Sequence, residues 1–163
     1  MITKEQYLGL LKNEFRIIKH LSEKVTVEQL SHKPTEPQRT LQELMAYLTA
    51  IFAAGADGIA TGDGEAYKKY FGKEMPTLEN FTTLMEQEEK EVMGFFEKLS
   101  DEDLDSEITM WGRTQSRTLH MMGLLSMAAA YKMQMFLYMK QSGTSNIGTS
   151  NLWAGMDQPP KVA

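Results

Sequence analysis

The chain has 163 residues, no cysteine and a formal net charge of −5, with 42% hydrophobic and 24% charged residues. That length suits one domain with a real core, expected to span residues 1–163, and the acidic balance, with no Lys/Arg cluster, excludes a nucleic-acid footprint. Without cysteine there are no disulfides, thiolate nucleophiles or Cys-ligated zinc, which fits a cytoplasmic home. The N-terminus carries Lys4, Glu5, Lys12, Glu14 and Arg16 instead of an apolar signal core, and the longest uncharged run is too short to span a bilayer, so no membrane partner is expected.

In chain order, Thr3 and Gln6 have capping-box spacing, the Thr hydroxyl bonding the N3 amide while Gln reaches back. Leu8, Leu11, Phe15, Ile18, Ser22 and Val25 then recur at three- and four-residue steps, which predicts an amphipathic helix over residues 4–25. His20 lies off that stripe and reads as a solvated surface histidine. Thr26 and Gln29 repeat the capping spacing and open a short turn that Pro34 and Pro37 close, with His32 as an exposed loop histidine. Thr40 and Glu43 form the clearest box and start a second helix, Leu41 to about Ala60. Its inward stripe is Leu41, Leu44, Leu48, Ile51 and Gly55. Gly62-Asp63-Gly64 stops it; two glycines around one Asp, with no strand before them, do not make a phosphate loop.

Residues 65–76 read as a partly ordered connection that lays Tyr67, Tyr70 and Phe71 on the bundle. Thr77 caps a third helix, Leu78–Leu99, whose stripe places Glu88 where an apolar residue belongs. A carboxylate there needs a partner, a proton or a route to water. Residues 100–117 are an acidic link with an extended stretch expected near Ile108–Trp111, after which Trp111-Gly112-Arg113 is expected to pack a turn on one end of the bundle.

From Thr118 to Gln141 the chain is apolar on nearly every face, the pattern of a helix enclosed by its neighbours, and Gly143 suits a left-handed stop. This stretch reads as the element around which the rest is organised. Residues 143–163 repeat Gly-Thr-Ser-Asn twice and read as an irregular tail anchored by Trp153. Four long helices, short connections and no convincing strand predict an all-α fold, an antiparallel four-helix bundle.

RTLQELMAYL (39–48) and YKMQMFLYMKQSG (131–143), in this order, resemble the DinB-like (DinB/YfiT-like) four-helix-bundle family over nearly the whole chain. The resemblance implies that bundle type and an ancestry among metal-dependent proteins, some of them thiol-dependent transferases or isomerases and many uncharacterised. It also implies a metal site of one histidine on the second helix and two on the fourth, four residues apart. Aligned on Arg39-Thr40-Leu41 and Gln134, those positions fall on Tyr47, Met127 and Tyr131, none of them histidine. A phenol must lose its proton to bind a divalent ion and a thioether is a soft, weak ligand, so no metal and no cofactor is expected here.

His120, two turns before Met127 on the stripe 120, 124, 127 and 131, faces the bundle as a core-edge histidine or as a polar partner of Glu88 or Tyr47. The candidate ligand pocket is therefore Tyr47, Glu88, His120, Met127 and Tyr131, lined by Met and Tyr. Two readings follow: a metal-free bundle that binds a small molecule there, or a thiol-dependent transferase- or isomerase-like enzyme using Tyr131, Tyr47 and His120. No nucleophile elbow or HExxH supports hydrolysis, and no catalytic residue is assigned. Relatives that pair as homodimers, and a fourth helix with more apolar face than one bundle needs, predict a homodimer.

Overall fold

A computed structural model describes residues 2–72 and 74–157. Its long helices are α1 (Lys4–Ser22), α2 (Leu41–Thr61), α3 (Leu78–Glu97) and α5 (Arg117–Gln141), with a short α4 (Asp101–Asp105) and one antiparallel hairpin, β1 (Glu107–Met110) and β2 (Arg113–Ser116), between α3 and α5. Side-chain caps set the helix starts. Thr3 Oγ1 accepts from the Gln6 amide at 3.1 Å while Gln6 Oε1 accepts from the Thr3 amide at 3.0 Å. Thr40 and Glu43 exchange the same pair of bonds at 3.1 and 2.7 Å. Each box satisfies two amides that a helix N-terminus leaves unpaired. Gly62, at φ 76°, ends α2 in the left-handed conformation.

The helices form a bundle in which α1 and α2 each pack on both α3 and α5. Its centre is α2. Residues 52–59 of α2 are buried without a break, and Phe52 meets Phe15 of α1 edge to face at 5.2 Å. Burial of each such side chain contributes roughly 1.5–3 kcal/mol. By length and composition α2 could cross a membrane, but 67% of its apolar window is buried inside the bundle. Its glycines allow close approach: a Cβ on Gly55 would lie 2.8 Å from Leu124 Cδ1, and one on Gly58 would lie 2.5 Å from Met110 Cε. Those two positions seat α5 and the hairpin directly on α2.

Three expectations change. The organising helix is α2 and not α5, because α5 keeps an exposed face at Leu119, Met122 and Leu137. Its composition is uniformly apolar, but composition does not say which side a neighbour covers. The 100–117 link holds a true two-strand ladder, in which Ile108 pairs with Gln115 and Met110 with Arg113. The tail is anchored not by Trp153, 62% exposed, but by the buried Ile147, Asn151 and Leu152. Residues 150–154 make one wide helical turn, held where Arg16 donates to the carbonyls of Ala154 and Gly155. The Pro159-Pro160 end of the tail lies outside the described residues.

Candidate functional site

Tyr47 of α2 and Tyr131 of α5 face each other, ring centroids 5.2 Å apart at 61°. Phe71 stacks on Tyr47 at 5.6 Å, and the Arg39 guanidinium sits 4.2 Å from the Tyr47 ring centre. Burial pushes the Tyr47 phenol up to about 12, and its hydrogen bond with Tyr131 adds to the rise. Tyr47 also lines a wide cleft of about 570 Å³ between α2 and residues 70–72 and 74–75, together with Lys33, Arg39, Tyr70 and Phe71.

His120 and Met127 line a different cavity, of about 340 Å³, enclosed by α5, the end of α2 and the hairpin. Its walls are Ile59, Met110, Trp111 and Leu124, with Arg113 and Gln115 from β2. His120 is buried, its Nε2 lies 3.4 Å from the Ile108 carbonyl oxygen, and Trp111 meets its ring edge-on at 6.3 Å. Trp111 and Gly112 are the two residues of the hairpin turn, at φ 50° and 76°. Such a turn needs positive φ at both positions and normally takes Asn, Asp or Gly. A tryptophan held there, 60% exposed, costs on the order of 1 kcal/mol or more of backbone energy.

Glu88 is buried on α3 and turned towards α2, where its Oε1 accepts from the Ala53 amide at 2.8 Å. His120 bonds the hairpin and Glu88 bonds α2, so the structure gives the two side chains different partners. Of the five candidate residues, then, Tyr47 meets Tyr131, His120 shares a cavity with Met127, and Glu88 stands elsewhere. Beside Glu88 lies a polar group that the pattern did not reveal. Asp57, buried in the middle of α2, accepts from the Tyr70 hydroxyl at 3.0 Å and from Lys69 Nζ at 3.3 Å. Burial first, then the Asp57 hydrogen bond and charge, push the Tyr70 phenol well above its ordinary range.

Two histidines read as solvated are not. His20 Nε2 lies 3.1 Å from Asn151 Nδ2 and 3.7 Å from Asp157, under the tail. His32 packs edge-on to Tyr138 at 6.0 Å, and its buried Nε2 has no hydrogen-bond partner among the described residues. Local sequence could not show the tail or α5 returning over them. Lys132 was also missed. It is 2% exposed, with Nζ 2.7 Å from Glu14 of α1 and 5.2 Å from the Trp153 ring centre. A lone lysine in an otherwise apolar helix was the available signal. Among the described residues, no three His, Asp or Glu side chains gather where they could hold a metal ion.

The bundle shares its fold with DinB-like proteins of known structure. Its structural neighbours are DinB-like proteins. One is the crystal structure of the DinB-like protein YjoA from Bacillus subtilis, with a TM-score of 0.73 at 20% identity over 88% of this chain and 96% of that one. Another is a DinB-like protein from Bacillus cereus ATCC 10987, at TM-score 0.72 and 18% identity over 89% and 96%. In sequence the chain is 21% identical over 150 residues to the uncharacterised protein YjoA of Bacillus subtilis strain 168, covering 90% of this chain and 96% of that protein. No family model matches the chain.

Proposed function

We propose that this protein is a metal-free DinB-like bundle that binds a small molecule in the cavity beside His120 and Met127. One observation carries the reading: at the positions where the family resemblance puts metal ligands, Tyr47 and Tyr131 are packed on each other, and the Tyr47 phenol is pushed up to about 12. A phenol that keeps its proton at neutral pH is no ligand for nickel or zinc, and the Met127 thioether does not replace an imidazole. The residues present do not fit a divalent metal. The place for a small molecule is the separate cavity that Met127 lines, about 340 Å³, largely apolar with a few polar groups, the usual make-up of such a site.

The transferase-like reading needs Tyr47, Tyr131 and His120 to exchange protons near neutral pH. The upward shift of Tyr47 works against it, since a general acid or base is effective when its pKa lies near the working pH. A cytoplasmic location and a homodimer are part of the same proposal.

The experiment uses untagged, chelator-treated protein and two probes. Octan-1-ol should raise the melting temperature of the parent and not of Gly123→Phe. At this exposed cavity residue a Cβ meets nothing within 4 Å, so a side chain can start there, and a phenyl ring should fill the opening. Glutathione with an aryl halide should give no turnover above the uncatalysed rate. Metal-independent turnover that Tyr131→Phe abolishes would favour the enzyme.

A further inference from the structure

The ligand class is written in the register of the hairpin. Directly paired residues of an antiparallel ladder point to the same side, and alternate residues along each strand do so too. The pairs Ile108–Gln115 and Met110–Arg113 therefore share one face, and Glu107–Ser116 and Thr109–Thr114 share the other. Met110, Arg113 and Gln115 line the cavity. Glu107, the only carboxylate residue of the hairpin, is thereby placed on the side away from it, where Thr109 and Thr114 bond at 2.7 Å.

The cavity consequently has an apolar floor, Ile59, Met110, Leu124 and Met127, and a rim of Arg113, Gln115 and His120, with no acidic residue in its lining. This is a local reversal in a chain whose net charge is −5. The Arg113 guanidinium and the Gln115 amide make no hydrogen bond or ion pair among the described residues. His120 is engaged with the Ile108 carbonyl and walled by Trp111. Trp111 is held at positive φ with most of its surface in water. An indole kept in that position is suited to covering the apolar part of a bound molecule.

We infer that the cavity takes a small amphiphilic monoanion, an apolar body seated between Ile59, Leu124, Met127 and Trp111 with a carboxylate head on Arg113 and Gln115. Guanidinium is the side chain best matched to a carboxylate, since it can give two parallel N–H bonds to the two oxygens. This rests on the reading of the cavity as a small-molecule site and adds the charge and shape of what enters it.

Calorimetric titration with octanoate, octan-1-ol and octylamine tests it, on the parent and on Arg113→Gln, Trp111→Asn and Gly123→Phe. Octanoate should bind at least about tenfold more tightly than octan-1-ol, a ratio that even one charge-assisted hydrogen bond supplies, and octylamine should bind most weakly. Arg113→Gln should bring octanoate to the level of the alcohol without lowering alcohol affinity. Trp111→Asn should weaken all three while the protein melts no lower, because Asn tolerates the left-handed backbone. Gly123→Phe, folded by circular dichroism, should bind none. If the alcohol binds as well as the acid and Gly123→Phe blocks both, the anionic class is wrong and the small-molecule site stands. If octanoate binds folded Gly123→Phe as it binds the parent, or if none of the three binds the parent, the assignment to this cavity falls.

Discussion

Lys132 of α5 and Glu14 of α1 bring opposite charges to 2.7 Å, with the lysine side chain 2% exposed and the glutamate 15% exposed. The two groups meet as an ion pair without hydrogen-bond alignment. An ammonium withdrawn from water costs several kcal/mol unless a counter-charge stays beside it, whereas the partly open carboxylate can turn to solvent. The pair should therefore be asymmetric. Glu14→Gln should lower stability by about 3 kcal/mol, and Lys132→Met, which fills the same channel, by about 1 kcal/mol or less. Urea unfolding of both single variants and the double variant measures this. Equal losses would show that the ammonium does not depend on Glu14.

Alkaline pH should loosen the fold through its buried phenols. A tyrosine ordinarily titrates near 10, and Tyr47 is pushed up to about 12, chiefly by burial. The folded state then holds this proton more tightly than the unfolded chain does. The stability it contributes is whole below about pH 10 and is lost as pH rises through about 12. Tyr7 and Tyr70 are shifted upwards as well, both chiefly by burial, and share the effect. Tyr47→Phe should make the fall in melting temperature across that window shallower. An unchanged slope, with the phenolate absorbance of Tyr47 appearing near pH 10, would place its hydroxyl in water.

Leu119, Met122 and Leu137 are 55%, 40% and 47% exposed on α5, with Ser126 and Ala130 exposed between them. Steps of three, four, four and seven residues put these five on one side of the helix, an uncharged strip on which the proposed dimer would form. Light scattering at micromolar concentration should give twice the chain mass of 18.5 kDa. Met122→Glu should return it to the monomer mass without loss of helicity. A parent protein that stays at the monomer mass rules the dimer out.

Helix positions were legible because capping boxes and apolar spacing are local. Thr3–Gln6 and Thr40–Glu43 do in the structure what their spacing implies, and Thr77 caps the third helix as expected, with Asn80 as its partner. The hairpin was half legible: Ile108–Trp111 suggested extension, but β2 reads Arg-Thr-Gln-Ser, with no apolar residue to mark it. Burial was legible only where periodicity was strong. In α5 every face is apolar, so the pattern could not say that 119, 122 and 137 are exposed and Lys132 enclosed. The candidate pocket takes Tyr47, Met127 and Tyr131 from the family resemblance and adds His120 and Glu88 from helix stripes. A stripe fixes a face but not the neighbour it meets: Glu88 and His120 both lie on inward stripes, yet Glu88 bonds the Ala53 amide and His120 lies by the Ile108 carbonyl. Long-range partners such as Glu14, Asn151 and Asp157 have no local signature at all.

The central claim is that Tyr47, Met127 and Tyr131 leave no divalent-metal site in this DinB-like bundle. Elemental analysis of protein expressed without a His tag in metal-supplemented medium tests it most directly. Nickel, zinc, iron and copper should each be well below one equivalent per chain, and a strong chelator should leave the melting temperature unchanged, because a bound ion stabilises only the state that holds it. About one equivalent of any one of these metals, lost to the chelator together with a fall in melting temperature, would contradict the account.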